Sequence, residues 1–132
     1  MARATSGKGA REAGPLKAKA LQNLRAGALL FDRGLYDAAA SRYYYAVFQA
    51  CVHALEGRGL TPGTTIPGAR RWDHPTVRVR AAAVRDRPED ERFFEDLRLL
   101  RERADYNPEP IGHGAVESCR REVERFVLDV TA

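Results

Sequence analysis

Apolar side chains recur at helical spacing along most of the chain. Leu16, Ala20, Leu24, Ala28 and Phe31 define a first helix, with Pro15 suited to its first turn and Gly34 closing it. A second helix is predicted from about Leu35 to Glu56, ended by Gly57 and Gly59. The stretch LTPGTTIPGARR, residues 60 to 71, holds Pro62, Gly63, Pro67 and Gly68, too many breakers for a regular element, and is read as one long loop. Asp73 can cap a third, shorter helix with Pro75 in its first turn, running through HPTVRVRAAAV until Arg87 and Pro88 interrupt it. PEDERFFEDLRLLRERADY, 88 to 106, gives a fourth, its acidic first turn complementing the helix dipole and its apolar face at Phe93, Leu97, Leu100 and Ala104. NPEPIG cannot continue that helix. A fifth follows from about His113, with Val116, Cys119, Val123, Phe126 and Val130 on one face.

Only TVRVR alternates as a strand would, and it flows directly into an Ala run. The fold class is therefore all-α. The short link between the first two helices makes them antiparallel neighbours. The economical arrangement is an antiparallel up-and-down bundle of four main helices, with the shorter third helix lying across or extending it.

Composition narrows this picture without redrawing it. A chain of 132 residues, 44% of them hydrophobic, supports one modest core. Residues 1–14 read as a disordered basic tail and 15–132 as the helical domain. Part of the +4 net charge sits at Arg3, Lys8, Arg11, Lys17 and Lys19, but 18 acidic residues are interspersed with 22 basic ones, so RNA binding is permitted and not required. No apolar run approaches the ~18 to 20 residues needed to cross a bilayer, and the N-terminal stretch lacks the apolar core of a secretory signal, so a cytoplasmic protein is expected. Cys51 and Cys119 are far apart and read as small buried hydrophobes, with no metal site and no cofactor implied. There is no P-loop, no Gly-rich dinucleotide turn and no nucleophile elbow.

The second helix carries an unusual run, RYYYAVFQACVHAL. At about 100° per residue, Tyr44, Phe48, Cys51 and Leu55 share a narrow stripe, the expected core face. Arg42, Gln49 and His53 share a stripe opposite, with Tyr45 at its flank. Aromatic and amide groups are not the Lys and Glu that usually fill solvated positions, so this side is expected to meet a second helix layer, a subunit or RNA. On the fourth helix Phe94, Arg98, Arg101 and Asp105 line one side. Arg101 and Asp105 form an i, i+4 pair, and Tyr106 stands beside them at the helix end.

SRYYYAVF, preceded by GLYDAAA and followed at a distance by LRERADY, resembles the small stand-alone bacterial branch of the HEPN superfamily over roughly residues 16 to 131. The resemblance implies an antiparallel helical bundle, commonly a homodimer, often encoded beside a nucleotidyltransferase and frequently a toxin or defence ribonuclease. Active members carry an Arg followed after four to six residues by a His, at a dimer interface, forming a metal-independent site. Here Arg101 matches that Arg, and Tyr106 stands where the His would be. Tyr, with an ordinary pKa about 10, is a poor base at neutral pH. Tyr106 can still orient a phosphate while Arg101 stabilises charge, and a His from another helix can supply the proton transfer, with His53 the first candidate and His113 and His74 behind it.

Two readings follow. In one, Arg101, Asp105, Tyr106 and His53 form a divergent ribonuclease site, with Arg42, Tyr45, Gln49 and Arg98 contacting RNA or a second subunit. In the other, Arg42, Arg101, Asp105 and Tyr106 form a buried polar network in a non-catalytic module that partners a nucleotidyltransferase or a larger defence complex.

Overall fold

The computed structural model describes residues 14–132, so the tail expected over 1–14 lies almost wholly outside the described residues. Six helices follow one another: α1 (Pro15–Asp32), α2 (Tyr36–Gly57), the single-turn α3 (Pro62–Thr65), α4 (His74–Arg85), α5 (Glu89–Tyr106) and α6 (His113–Val130). No strand occurs among the described residues, and none of their helices is long and apolar enough to cross a membrane.

Local chemistry sets the boundaries. Pro15 opens α1, and the Asp73 carboxylate accepts the Thr76 N–H at 2.7 Å to cap α4, as the sequence predicts. The end of α4 is sharper than Arg87 and Pro88 suggest. Asp86 adopts φ 54°, and the Arg87 and Asp86 N–H groups donate back to the carbonyls of Ala82 and Ala83, a left-handed stop. Within the expected loop, Thr61 and Thr64 exchange side-chain and backbone hydrogen bonds in a capping box, which is enough to form the turn α3.

α2 is the central element, packed against α1, α4, α5 and α6. Its buried arc is therefore much wider than the predicted stripe, taking in Ala39, Ala40, Tyr43, Ala46, Val47 and Ala50, while Phe48 is only half-buried. Val77 from α4 and Val116, Val123 and Val127 from α6 complete the innermost core. Two predicted faces rotate slightly. On α1, Gly27 is buried and Ala28 exposed, because the Tyr43 ring lies against the Gly27 backbone. On α5, Phe94 is deeper than Phe93, because it meets Tyr44 and Phe48 of α2.

Contacts along the axes give the helix directions. Phe94 sits beside Phe48 and Arg101 beside Tyr45, so α5 runs antiparallel to α2. His74 sits beside Tyr44 and Phe48, whereas Arg58, just past α2, bonds to the Val84 carbonyl, so α4 runs parallel to α2. The long connection between α2 and α4 thus travels back along the bundle. The shorter helix lies alongside α2 and α5 and brings its first residue, His74, to the middle of α2.

Candidate functional site

The α5 face bearing Phe94, Arg98, Arg101 and Asp105 turns onto α2 and the start of α4. Arg101 is its centre. Its guanidinium carbon lies 5.2 Å from the centre of the Tyr44 ring and 5.6 Å from that of Tyr45, a cation held against two π faces. Nη1 donates to the Asp105 carboxylate at 3.3 Å and to the Tyr45 hydroxyl at 3.5 Å, a long contact. The side chain is only 13% exposed, and its Nε is buried without a hydrogen-bond partner. Nη2 likewise bonds to nothing among the described residues. Leaving a buried charged donor such as Nε unpaired costs about 1–3 kcal/mol.

Arg98, one turn earlier, is in the opposite condition. Its Nε and Nη2 grip both oxygens of Glu95 at 3.0 and 2.8 Å, and Nη1 binds Glu102 at 2.6 Å. Arg78 of α4 adds a 3.0 Å bond to the same Glu95. The hydrogen bonds from Arg98, supported by Arg78, hold the Glu95 carboxyl down at about 2. Arg98 is thus spent on Glu95 and Glu102 within α5, and Arg78 ties α4 to the same Glu95, while Arg101 keeps donors to spare.

His74 completes the cluster. Its ring stacks on Tyr44 with centroids 5.5 Å apart, its Nδ1 hydrogen-bonds the Tyr44 hydroxyl, and Phe48 lies 4.8 Å away on a tilted plane. Burial pushes the imidazole pKa below its ordinary value, and the positive charges of Arg101 and Arg98 push it further; Asp73 and Glu102 oppose them only in part. Burial likewise pushes the Tyr44 phenol well above its ordinary range, against the opposing pull of Arg101, so it remains a neutral hydroxyl.

The structure gathers Tyr45, Arg101 and Asp105 and parts the rest of the predicted set. Arg42 and Gln49 are joined instead through Asn23 of α1, which accepts from Arg42 at 3.2 Å and donates to Gln49 at 2.8 Å. The polar stripe of α2 is therefore divided between two neighbours, α1 and α5. Arg42 does not enter a network with Arg101, and Tyr106 stands 75% exposed beyond Asp105, at the last residue of α5. His53 is half-buried eight residues past Tyr45, about 12 Å further along the helix axis, and makes no hydrogen bond to the Arg101 cluster among the described residues. His113 is exposed and packs with Phe31 and Tyr36, at 5.0 and 5.5 Å, where α1 turns into α2. Sequence spacing ranks His74 behind His53 because nothing in a helical wheel reports the return path of the α2–α4 connection. Cys51 is buried as expected, whereas Cys119 is only half-buried; burial pushes their thiols up to about 12 and about 11.

A helical bundle whose penultimate long helix presents an arginine to two tyrosines of a central helix, with a second polar group delivered from a crossover helix, defines an all-α class with its polar site on a helix seam. The HEPN domain family matches residues 14–131, nearly the whole described chain, and the chain belongs to that family. No curated protein and no solved structure matches it significantly.

Proposed function

We propose that this HEPN protein is a divergent, metal-independent endoribonuclease of a toxin–antitoxin or defence system, working in the cytoplasm as a homodimer. The observation that carries the reading is the edge of the Arg101 guanidinium. Nη1 is used by Asp105 and Tyr45, while Nε and Nη2 have no partner among the described residues. The Nη2 end of that edge can donate to a phosphodiester oxygen, and the buried Nε can join it only where the packing around it opens. Asp105 and the tyrosine rings fix the guanidinium in place, so it needs little reorganisation as negative charge builds on the phosphoryl oxygens of a transition state. The exposed Tyr106 phenol, at the end of the same helix but turned to another face, can donate to a neighbouring phosphate along the RNA.

The test is incubation of the purified protein with EDTA and a mixed end-labelled RNA pool. Cleavage by the wild type and a loss of about 10²-fold or more in Arg101→Ala are expected. Equal cleavage by Arg101→Ala, in a variant that keeps its helical circular dichroism, would sink the assignment. A second reading has an observation of its own: Arg101 is largely buried and already holds Asp105, as a polar element that sets helix register must. On that reading the protein is a non-catalytic module binding a nucleotidyltransferase or a larger defence complex. A folded wild type that cleaves no RNA selects it.

A further inference from the structure

We propose that His74, the first residue of α4, is the group that moves the proton at the Arg101 site. This rests on the ribonuclease reading and names its missing base. Three observations converge on it. His74 and Arg101 are both packed on the same buried phenol, Tyr44, and the Arg101 charge acts on the imidazole, so the two belong to one cluster. The Tyr44 hydroxyl occupies Nδ1, which fixes the ring and leaves Nε2 for a substrate. The side chain is half-buried, so one edge stays within reach of solvent. Neither other histidine has this placement: His113 is exposed and packs with Phe31 and Tyr36 at the α1–α2 turn, and His53 lies more than two turns from Tyr45 along α2.

The charges facing the imidazole suit a base. Arg101 and Arg98 from α5 disfavour the protonated form, as does the N-terminal end of α4 itself; Asp73 at the cap and Glu102 from α5 offset this only partly, and Tyr44 and Phe48 from α2 add apolar surface. The ring is therefore neutral at pH 7. In the tautomer whose Nδ1–H donates to the Tyr44 oxygen, the one this step uses, the lone pair sits on Nε2. It takes the proton of a ribose 2′-hydroxyl as the 2′-oxygen bonds to phosphorus. The bond from phosphorus to the 5′-oxygen breaks, that oxygen takes a proton from solvent, and the imidazolium then releases its own. The products are a 2′,3′-cyclic phosphate and a 5′-hydroxyl. No oxidant, reductant or metal enters the step.

Two measurements on the full chain test this. In the first, the imidazole C–H resonances of the wild type are followed by NMR against pH, with and without a 2′-O-methyl RNA hexamer, which binds but cannot be cleaved. The His74 signal is expected to titrate below 6.5 and to move on adding the hexamer, while the His113 signal does not. In the second, cleavage of the labelled RNA pool by wild type, His74→Gln and Tyr44→Phe is measured across pH. His74→Gln is expected to lose about 10²- to 10⁴-fold. Tyr44→Phe should keep measurable cleavage with its acid limb displaced. If His74→Gln does not fold, the acid limb of the wild-type pH–rate profile decides, since it must coincide with the His74 titration seen by NMR. Cleavage by His74→Gln at the wild-type rate, or an acid limb unrelated to that titration, overturns the role of His74 and leaves the ribonuclease assignment standing. Absence of cleavage by the wild type at every pH overturns the assignment and this inference together.

Discussion

Gly27 shows how a single hydrogen can govern packing. A Cβ placed there would meet two carbons of the buried Tyr43 ring at 2.9 Å, and that ring has no free end to swing aside. Replacing a helical Gly by Ala ordinarily gains about 1 kcal/mol. Overpacking a tight contact costs about 1–3 kcal/mol, so the clash wins. Gly27→Ala should lower the urea midpoint, and a raised midpoint would mean that α1 slides easily on α2. His74 makes a second prediction at this scale. Because its pKa is lower folded than unfolded, the unfolded chain binds the extra proton first, and stability falls as pH drops below 6.5 toward the folded value. Urea unfolding at pH 7.5 and 5 should show a smaller difference for His74→Gln than for wild type. Glu95 works in the acid range: its carboxyl is held down at about 2, so its contribution disappears only as pH falls from 4.5 toward that value.

At the scale of elements, the turn between α4 and α5 is joined by one residue in an unfavourable conformation and held by one cation. Asp86 sits at φ 54°, where a side chain is strained and glycine is not. Asp86→Gly should stabilise the protein by about 0.5–1 kcal/mol, and Asp86→Val should do the reverse. Arg85, at the last position of α4, bonds Asp90 of α5 at 3.0 Å and Asp129 of α6 at 3.3 Å, with its guanidinium 5.0 Å from the Phe126 ring. Its side chain and that of Asp90 are 16% and 15% exposed, so Arg85→Met should cost about 1.5–3 kcal/mol by leaving Asp90 unpaired. Arg92 and Asp96 on α5 form a pair at 3.5 Å with both side chains in solvent, and Arg92→Ala should leave the midpoint within error. Comparable effects in the two variants would show that burial does not set the strength of these pairs.

For the whole molecule, the proposed function requires two copies. Light scattering at micromolar concentration should report about twice the mass of one chain, and a strict monomer would leave each Arg101 site without its counterpart. The bundle leaves room for a contact of this kind. Between α5 and α6 runs an open groove of about 580 Å³ floored by Phe93, Leu97, Leu100 and Cys119, and Leu99 and Tyr106 stand exposed along the same helix. The loop after α5 is fastened away from this groove, because the Ile111 N–H donates to Asp37 at the start of α2 at 2.9 Å. Asp37→Ala should loosen residues 107–112 selectively, seen as faster amide exchange there with the core unchanged.

The helices, their order and most of their ends follow from local chemistry and could be read from the chain: the 3.6-residue spacing of apolar positions, the Asp73 cap, the breakers at Gly34, Gly57 and NPEPIG. The pairing of Arg101 with Asp105 is equally local, being one turn of one helix. Which side of α2 meets which neighbour is not local. Arg42, Gln49 and Tyr45 look alike on a helical wheel, yet two of them bond through Asn23 of α1 and the third reaches Arg101 of α5, because α2 is enclosed on several sides. Likewise His74 follows His53 by 21 residues and has no helical register with it. Only the reversal of the chain between α2 and α4 sets it on Tyr44 beside Arg101, and such a reversal depends on packing between distant segments, which periodicity does not encode.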